Sequence, residues 1–265
     1  MTSGISDKNR KILDLINRTQ KGPFTAKDVS KTLKLSLKKT GLLLTYFATK
    51  EWLSRIKRGV YITVPLGTLN PKEFKENPWI VANKIFAPCY IGGWSAAEHW
   101  GLTEQIFNTV VVFTTRRAQR KNMTIQGTNF IIKFINKNHF GDAKSIWIDN
   151  SRIQISDPSQ TIIDILDDPV IGGGIRCVAE IIKEYFVSDF RNDELIIKYI
   201  TKRDNKTIYK RLGYIIEINK IDAAFLQKKC EKNISSGYSL LDPSSKATGS
   251  FNSKWQLRIN IRINK

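Results

Sequence analysis

Histidine and cysteine are scarce in this chain, with two and three residues among 265. His99 and His139 have no partner at metal-ligand spacing. Cys89, Cys177 and Cys230 are odd in number, far apart and form no CxxC pair. That pattern excludes a zinc-finger framework and a disulfide scaffold, and it predicts three reduced thiols. A run of 18 apolar residues is also missing, as is an apolar N-terminal segment of signal-peptide form. The expectation is a cytoplasmic protein without membrane contact, metal or other cofactor. Internal repeats and low-complexity tracts are absent too. Acidic residues are in short supply, 24 Asp and Glu against 43 Lys and Arg, for a net charge of +19.

The excess of positive charge is unevenly spread. Residues 1–65 hold 14 Lys and Arg against 4 Asp and Glu, while residues 66–265 hold 29 against 20. About a quarter of the chain thus carries half of the surplus, which points first to a polyanion such as nucleic acid. The hydrophobic content of 41% suffices for one or two ordinary cores.

The basic quarter has an ordered local pattern. In SDKNRKILDLINRTQKG, Ser6 or Asp7 caps a helix whose Ile12, Leu13 and Ile16 form a stripe, and Gly22-Pro23 end it. In FTAKDVSKTL, Thr25 and Asp28 form a capping-box pattern ahead of a helix that buries Ala26, Val29 and Leu33. Lys34-Leu35 turn the chain, and Ser36 caps the next helix. There Thr40, Leu43, Leu44 and Phe47 share a packed face, leaving Leu37, Lys38, Lys39, Gly41 and Thr45 outward. Gly41 costs a helix roughly 1 kcal/mol relative to alanine, so it marks a close approach, either to DNA or to the preceding helix. WLSRIKRGVYITV then reads as a two-stranded ribbon with Arg58-Gly59 at its tip. Its Leu53, Ile56, Val60 and Ile62 are apolar, and Arg55, Lys57, Arg58 and Tyr61 suit phosphate. Helix, turn, helix and ribbon in this order predict a winged helix-turn-helix, which lays its second helix in a DNA major groove.

Residues 66–77, LGTLNPKEFKEN, have linker character, so the expected domains are 1–65 and 78–265. The second begins with a helix in PWIVANKIF and a strand at 89–91. Gly92-Gly93 then turn the chain, and Ser95 caps a helix that ends at Gly101. Strands are expected at 109–114, 129–135, 145–148 and 152–155. Asp157-Pro158 open a helix, and further helices are expected at 175–187, 192–203, 205–219 and 221–232. A long surface loop is expected at 233–252, followed by a strand-like tail. The fold class is α+β: an N-terminal winged helix-turn-helix domain, then a mixed α/β domain with a small sheet and several helices.

Chemistry-bearing clusters in the second domain have bland alternatives. Asp164, Asp167 and Asp168 are near one another, and Glu98 precedes His99, but no phosphate loop or lysine partner accompanies either group. Structural roles are expected for them. Arg116, Arg117, Arg120 and Lys121 follow the 109–114 strand and mark either a polyanion contact or a solvated hairpin end. Lys202, Arg203, Lys206, Lys210 and Arg211 are expected on a solvated face. Trp79, Trp94, Trp100 and Trp147 lie in apolar surroundings and read as core.

The blocks RGVYITVP, YIGGWSAAEHWGLTEQ, VVVFTTRR and DPSQTIIDILDDP, in this order, resemble the AbiEi family over roughly residues 10–190. These are antitoxins of type IV toxin–antitoxin systems in bacterial phage-defence (abortive infection) operons. The resemblance implies a transcriptional repressor that binds inverted repeats in its own promoter. It also implies a C-terminal domain that opposes a nucleotidyltransferase toxin without a stable complex, and no enzyme activity. Carried over, the reader positions fall on Ser36, Leu37, Lys38, Lys39 and Thr40, and the wing on Arg55 to Tyr61. Second-domain positions fall on Ser95, Glu98, Gly101, Thr114, Arg116, Arg117, Asp157 and Asp164. At Gln160 the family pattern has an arginine, so an ion pair or phosphate contact built on it is in question here. Two other classes stay open: a transcriptional regulator whose second domain dimerises or senses a ligand, and a nucleic-acid-processing enzyme working through Asp164.

Overall fold

The structure, a computed structural model, describes residues 5–65, 68, 70, 73–117, 120–137 and 143–263. His139 lies outside the described residues, as do Leu66, Gly67, Leu69, Pro71 and Lys72 of the expected linker.

The chain begins with α1 (Asp7–Thr19), where the Asn9 N–H donates to Ser6 Oγ at 3.4 Å. A short strand β1 (Phe24–Thr25) leads into α2 (Ala26–Ser30). Asp28 accepts from the Thr25 N–H at 2.7 Å and from the Thr25 hydroxyl at 2.8 Å, as the capping spacing predicts. Lys34 takes a left-handed φ of 53° at the turn, and Ser36 caps α3 (Leu37–Thr49) by accepting from the Lys39 N–H at 3.3 Å. The hairpin β2 (Leu53–Lys57) and β3 (Val60–Thr63) follows, with Gly59 at φ 79° in its turn, a conformation that suits a residue without Cβ. β1 pairs antiparallel with β3, giving a three-stranded sheet in the order β1-β3-β2.

Ile16, Phe24, Val29, Leu44, Phe47, Leu53 and Tyr61 form a small core inside this region. The other face of the hairpin goes elsewhere. Ile56, Val60 and Ile62 pack in a second core with Ile80, Val81, Phe86 and Ile132 from later in the chain. Strand alternation explains the division, because successive side chains of β2 and β3 point to opposite faces. Lys84 also pairs with Asp28 at 2.8 Å, tying α2 to the helix that follows.

That helix is α4 (Pro78–Phe86), succeeded by β4 (Cys89–Ile91) and α5 (Gly93–His99). α5 starts two residues earlier than expected, and Ser95 is not its cap. The Ser95 hydroxyl accepts from the Val111 N–H at 3.1 Å instead. Gly93 has φ 59°, and a Cβ there would lie 2.7 Å from the Ile171 carbonyl oxygen, so the tight entry needs glycine.

Next come β5 (Thr109–Thr114), β6 (Asn122–Ile125), β7 (Thr128–Phe134), β8 (Lys144–Ile148) and β9 (Ser151–Ile155). With β4 they make a six-stranded mixed sheet in the order β6-β7-β5-β4-β9-β8. The apolar run TVVVFT places β5 in the interior, parallel to β7 and antiparallel to β4. β8 is an edge strand, and its Trp147 is 70% exposed, contrary to the core position expected for it.

The remainder is mainly helical: α6 (Pro158–Asp167), a 3₁₀ turn at Pro169–Gly172, α7 (Ile175–Val187), α8 (Asp193–Arg203), α9 (Lys206–Ile218) and α10 (Ala224–Asn233). Asp157, Asn192 and Asn205 cap α6, α8 and α9 through their side-chain oxygens. Residues 233–252 are more than the expected surface loop. They contain β10 (Ser239–Leu240) and β11 (Ser250–Asn252), and Leu241 and Asp242 are buried. β12 (Leu257–Ile259) completes a small sheet in the order β10-β12-β11. Trp255, fully buried, lies so close to Gly213 of α9 that a Cβ there would stand 2.0 Å from its ring. The protein is α+β, with N-terminal helices and strands ahead of a mixed α/β region.

Candidate nucleic-acid interface

One side of α3 is fully committed to packing. Thr40, Leu44 and Phe47 are each 0% exposed, and the Thr40 hydroxyl donates to the Ser36 carbonyl at 3.0 Å. Thr40 was expected among the residues reaching DNA; its burial assigns it to the core. On the opposite side Leu37, Lys38, Lys39 and Thr45 stand exposed, joined by Leu42, Tyr46 and Thr49. Helical spacing puts Leu42 one turn beyond Lys38 and Lys39, at the middle of that arc. Ser36 is exposed as well, with its Oγ occupied as the helix cap. A Cβ added at Gly41 would meet nothing within 4 Å, so the glycine does not serve close packing on the preceding helix.

Two of the expected contact residues are linked to each other. The Thr45 hydroxyl donates to the Gly41 carbonyl at 2.9 Å and lies 3.0 Å from the Tyr61 hydroxyl. A hydroxyl has one proton to give, so Tyr61 donates to Thr45. Tyr61 is 3% exposed within the N-terminal core. Its expected place among the phosphate contacts is therefore corrected. The ring faces inward on β3, and its hydroxyl fixes α3 against the hairpin. Arg55, Lys57 and Arg58 point into solvent.

Lys57 also opens onto a cavity of about 420 Å³ that it shares with Arg116, Arg117 and Arg120. These three and Lys121 are exposed, and the Arg117 guanidinium lies over the Phe134 ring, 5.8 Å from its centroid. The hairpin and the second basic cluster, about 60 residues apart in sequence, thus line the same depression. Cations around an open cavity suit the oxygens of a phosphate backbone.

The other basic stretch has a different fate. Lys210 and Arg211 are 1% and 5% exposed, which overturns the solvated face expected for them. The Lys210 ammonium donates to the Gly237 carbonyl at 2.6 Å. Arg211 donates to the carbonyls of Leu166 at 2.7 Å and Asp167 at 3.0 Å, at the negative end of the α6 dipole, and to those of Leu240 and Leu241. Burial lowers the pKa of both side chains.

The carboxylates singled out as catalytic candidates are held structurally. Asp164 has no exposed side-chain surface and pairs with Arg203 of α8. It also accepts from the Gln160 amide at 2.8 Å and from the Tyr90 hydroxyl at 3.1 Å. Burial pushes its carboxyl up to about 6 against the opposing pull of Arg203, Gln160 and Tyr90. Where the family pattern suggested an arginine, Gln160 contributes an amide, and Arg203, 39 residues beyond Asp164, supplies the guanidinium. Asp167 accepts from Asn205 at 2.6 Å, while Asp168 pairs with Lys133 and caps the 3₁₀ turn. Asp157 caps α6 and accepts from the Tyr199 hydroxyl at 2.6 Å. Thr114, also buried, donates to the Phe86 carbonyl at 2.7 Å.

Glu98 and His99 open onto a cavity of about 520 Å³, where the Trp79 and His99 rings lie 5.6 Å apart and partial desolvation of the imidazole lowers its pKa. Gly101, one turn further, has φ 68° where the helix ends. All three cysteines are buried thiols, with burial pushing Cys89 up to about 12, Cys177 to about 11 and Cys230 to about 12. Among the described residues, no group of three His, Cys, Asp or Glu is placed to hold a metal ion. Among them, too, no helix is long and apolar enough to cross a membrane.

An exposed basic helix face beside a basic hairpin has the charge and shape that suit a nucleic-acid backbone. Residues 10–64 match a family model described as transcriptional regulator, AbiEi antitoxin, so the resemblance read in the sequence holds for that segment. The chain is also similar in fold to the crystal structure of the RV2827C protein from Mycobacterium tuberculosis. The TM-score is 0.62 at 11% identity, over 96% of this chain and 92% of the other, a likeness of fold alone. No curated protein matches the chain.

Proposed function

We propose that the protein is a DNA-binding autorepressor and the antitoxin of a type IV toxin–antitoxin pair. In this reading, residues 1–65 act as a winged helix-turn-helix on inverted repeats in the protein's own promoter. α3 lies in the major groove, with Lys38 and Lys39 at base edges or phosphates. The hairpin is the wing, and Arg55, Lys57 and Arg58 hold the flanking backbone. Arg116, Arg117, Arg120 and Lys121 extend that grip along the duplex past the cavity shared with Lys57. Residues 78–265 oppose a nucleotidyltransferase toxin.

The observation that carries the reading is the two-sidedness of α3. One face is sealed in a core and the other is exposed and basic, inside a segment that matches a transcriptional-regulator family. A titration of the whole chain on the duplex upstream of its gene, beside a scrambled duplex at two salt concentrations, tests it. A preference of about a thousandfold is the range of specific recognition. Equal, steeply salt-dependent binding to both duplexes would reduce the charge to a generic attraction.

The antitoxin role has its own assay. The full chain with Lys38, Lys39, Arg55 and Arg58 all replaced by alanine should lose the operator yet still rescue growth when the toxin is co-expressed. Failure of the unaltered protein to rescue growth would leave a transcriptional regulator alone.

A further inference from the structure

We propose that Leu42 reads thymine in the operator through contact with the base's 5-methyl group. The inference rests on the DNA-binding reading above and adds a specificity-determining residue to it.

Leu42 is 66% exposed at the centre of the free face of α3. A single exposed leucine is ordinary on a protein surface. This one is set apart by its neighbours. Lys38 and Lys39, one turn earlier, are both exposed, and they would bring the helix against a polyanion with Leu42 facing inward. The adjacent Gly41 leaves its side of the helix bare, since a Cβ there would touch nothing within 4 Å. Apolar surface at that point therefore meets the floor of the groove unobstructed.

The major groove offers one apolar feature, the methyl group of thymine; guanine, cytosine and adenine present donors and acceptors. A leucine against those edges strips them of water and returns no hydrogen bond, whereas against the methyl group it buries carbon on carbon. Attraction to one base and penalty for the others together make specificity.

The test uses the full-length protein and operator duplexes in which each thymine in turn is replaced by deoxyuridine, which removes only the methyl group. Affinity of the unaltered protein should fall about fourfold at one position per half-site, the weight of one buried methyl group. Leu42→Gln keeps side-chain length and helix propensity, and it should bind the thymine and deoxyuridine duplexes alike. Leu42→Met, still apolar, should retain the sensitivity. An operator with no deoxyuridine-sensitive position, or one whose sensitivity survives in Leu42→Gln, would overturn the proposal while DNA recognition stands. If the unaltered protein does not prefer its operator over a scrambled duplex, the DNA-binding reading fails and takes this inference with it.

Discussion

Between Lys38 and Arg58, α3 and the hairpin carry Lys38, Lys39, Arg55, Lys57 and Arg58 into solvent. Between Lys202 and Arg211, α8 and α9 fold Arg203, Lys210 and Arg211 inward, onto Asp164 and a set of backbone carbonyls. The two stretches look alike in composition, yet one keeps its charge available and the other consumes it. Neighbouring residues make the difference. Lys210 and Arg211 sit between Ile208-Tyr209 and Leu212-Gly213 on a helix that is buried nearly all round. The cations of α3 stand on the polar arc of a helix whose opposite arc fills the core. Charge marks a binding surface only where the element has a free side.

Four substitutions probe the contrast, and the largest effect belongs to the inward set. Arg203→Met leaves Asp164 buried without its cation and should cost about 3–5 kcal/mol in denaturant unfolding. The loss should depend on pH with a definite sign. The folded-state pKa of Asp164, about 6, lies above the ordinary aspartate value of 3.8. Its stabilising contribution is thus full below pH 3.8 and fades as pH rises through about 6. Removing Arg203 raises the folded pKa further, so the variant should be less damaged at pH 5 than at pH 8. Equal damage at both would remove Asp164 from the account.

A middling effect is expected where the two roles meet. Tyr61→Phe deletes the hydrogen bond to Thr45 and should cost about 1 kcal/mol of stability with little change in operator affinity. Loss of affinity without loss of stability would instead restore Tyr61 to the phosphate contacts.

The smallest effect on folding belongs to the outward set. Lys38→Ala and Lys39→Ala should each leave stability within about 0.5 kcal/mol. Each one that touches phosphate should lower the salt slope of DNA binding by about 0.9. Marked destabilisation by either would erase the distinction between the two basic stretches.

Local features were readable in advance. Ser6, Ser36 and the Thr25–Asp28 pair act over three residues, so their spacing suffices, and β5 is visible as one apolar run. Long-range partners were not. Nothing near Lys210 announces the Gly237 carbonyl 27 residues away, and nothing near Arg211 announces the Leu166 carbonyl 45 residues away. Tyr61 reads as a phosphate contact in the sequence because alternation along a strand says which residues share a face and not what covers it. Along β3 both faces are covered, with Val60, Tyr61 and Ile62 all buried. Leu42 is illegible in the sequence for the opposite reason: an apolar residue in an amphipathic helix suggests burial, and only the packed structure reveals that its side has no cover. Trp147 repeats that lesson at the sheet edge.

The hairpin's two allegiances limit how freely this protein could trade parts. Leu53 and Tyr61 belong to the N-terminal core, while Ile56, Val60 and Ile62 belong to the next one. A modular regulator could exchange its reading head for another by recombination at a linker. Here an incoming head would have to bring matching apolar residues on the back of its own hairpin, or leave a hole in its host. Under the proposed function, new operator preferences are therefore more readily acquired by changing side chains on the free face of α3 than by grafting a foreign head.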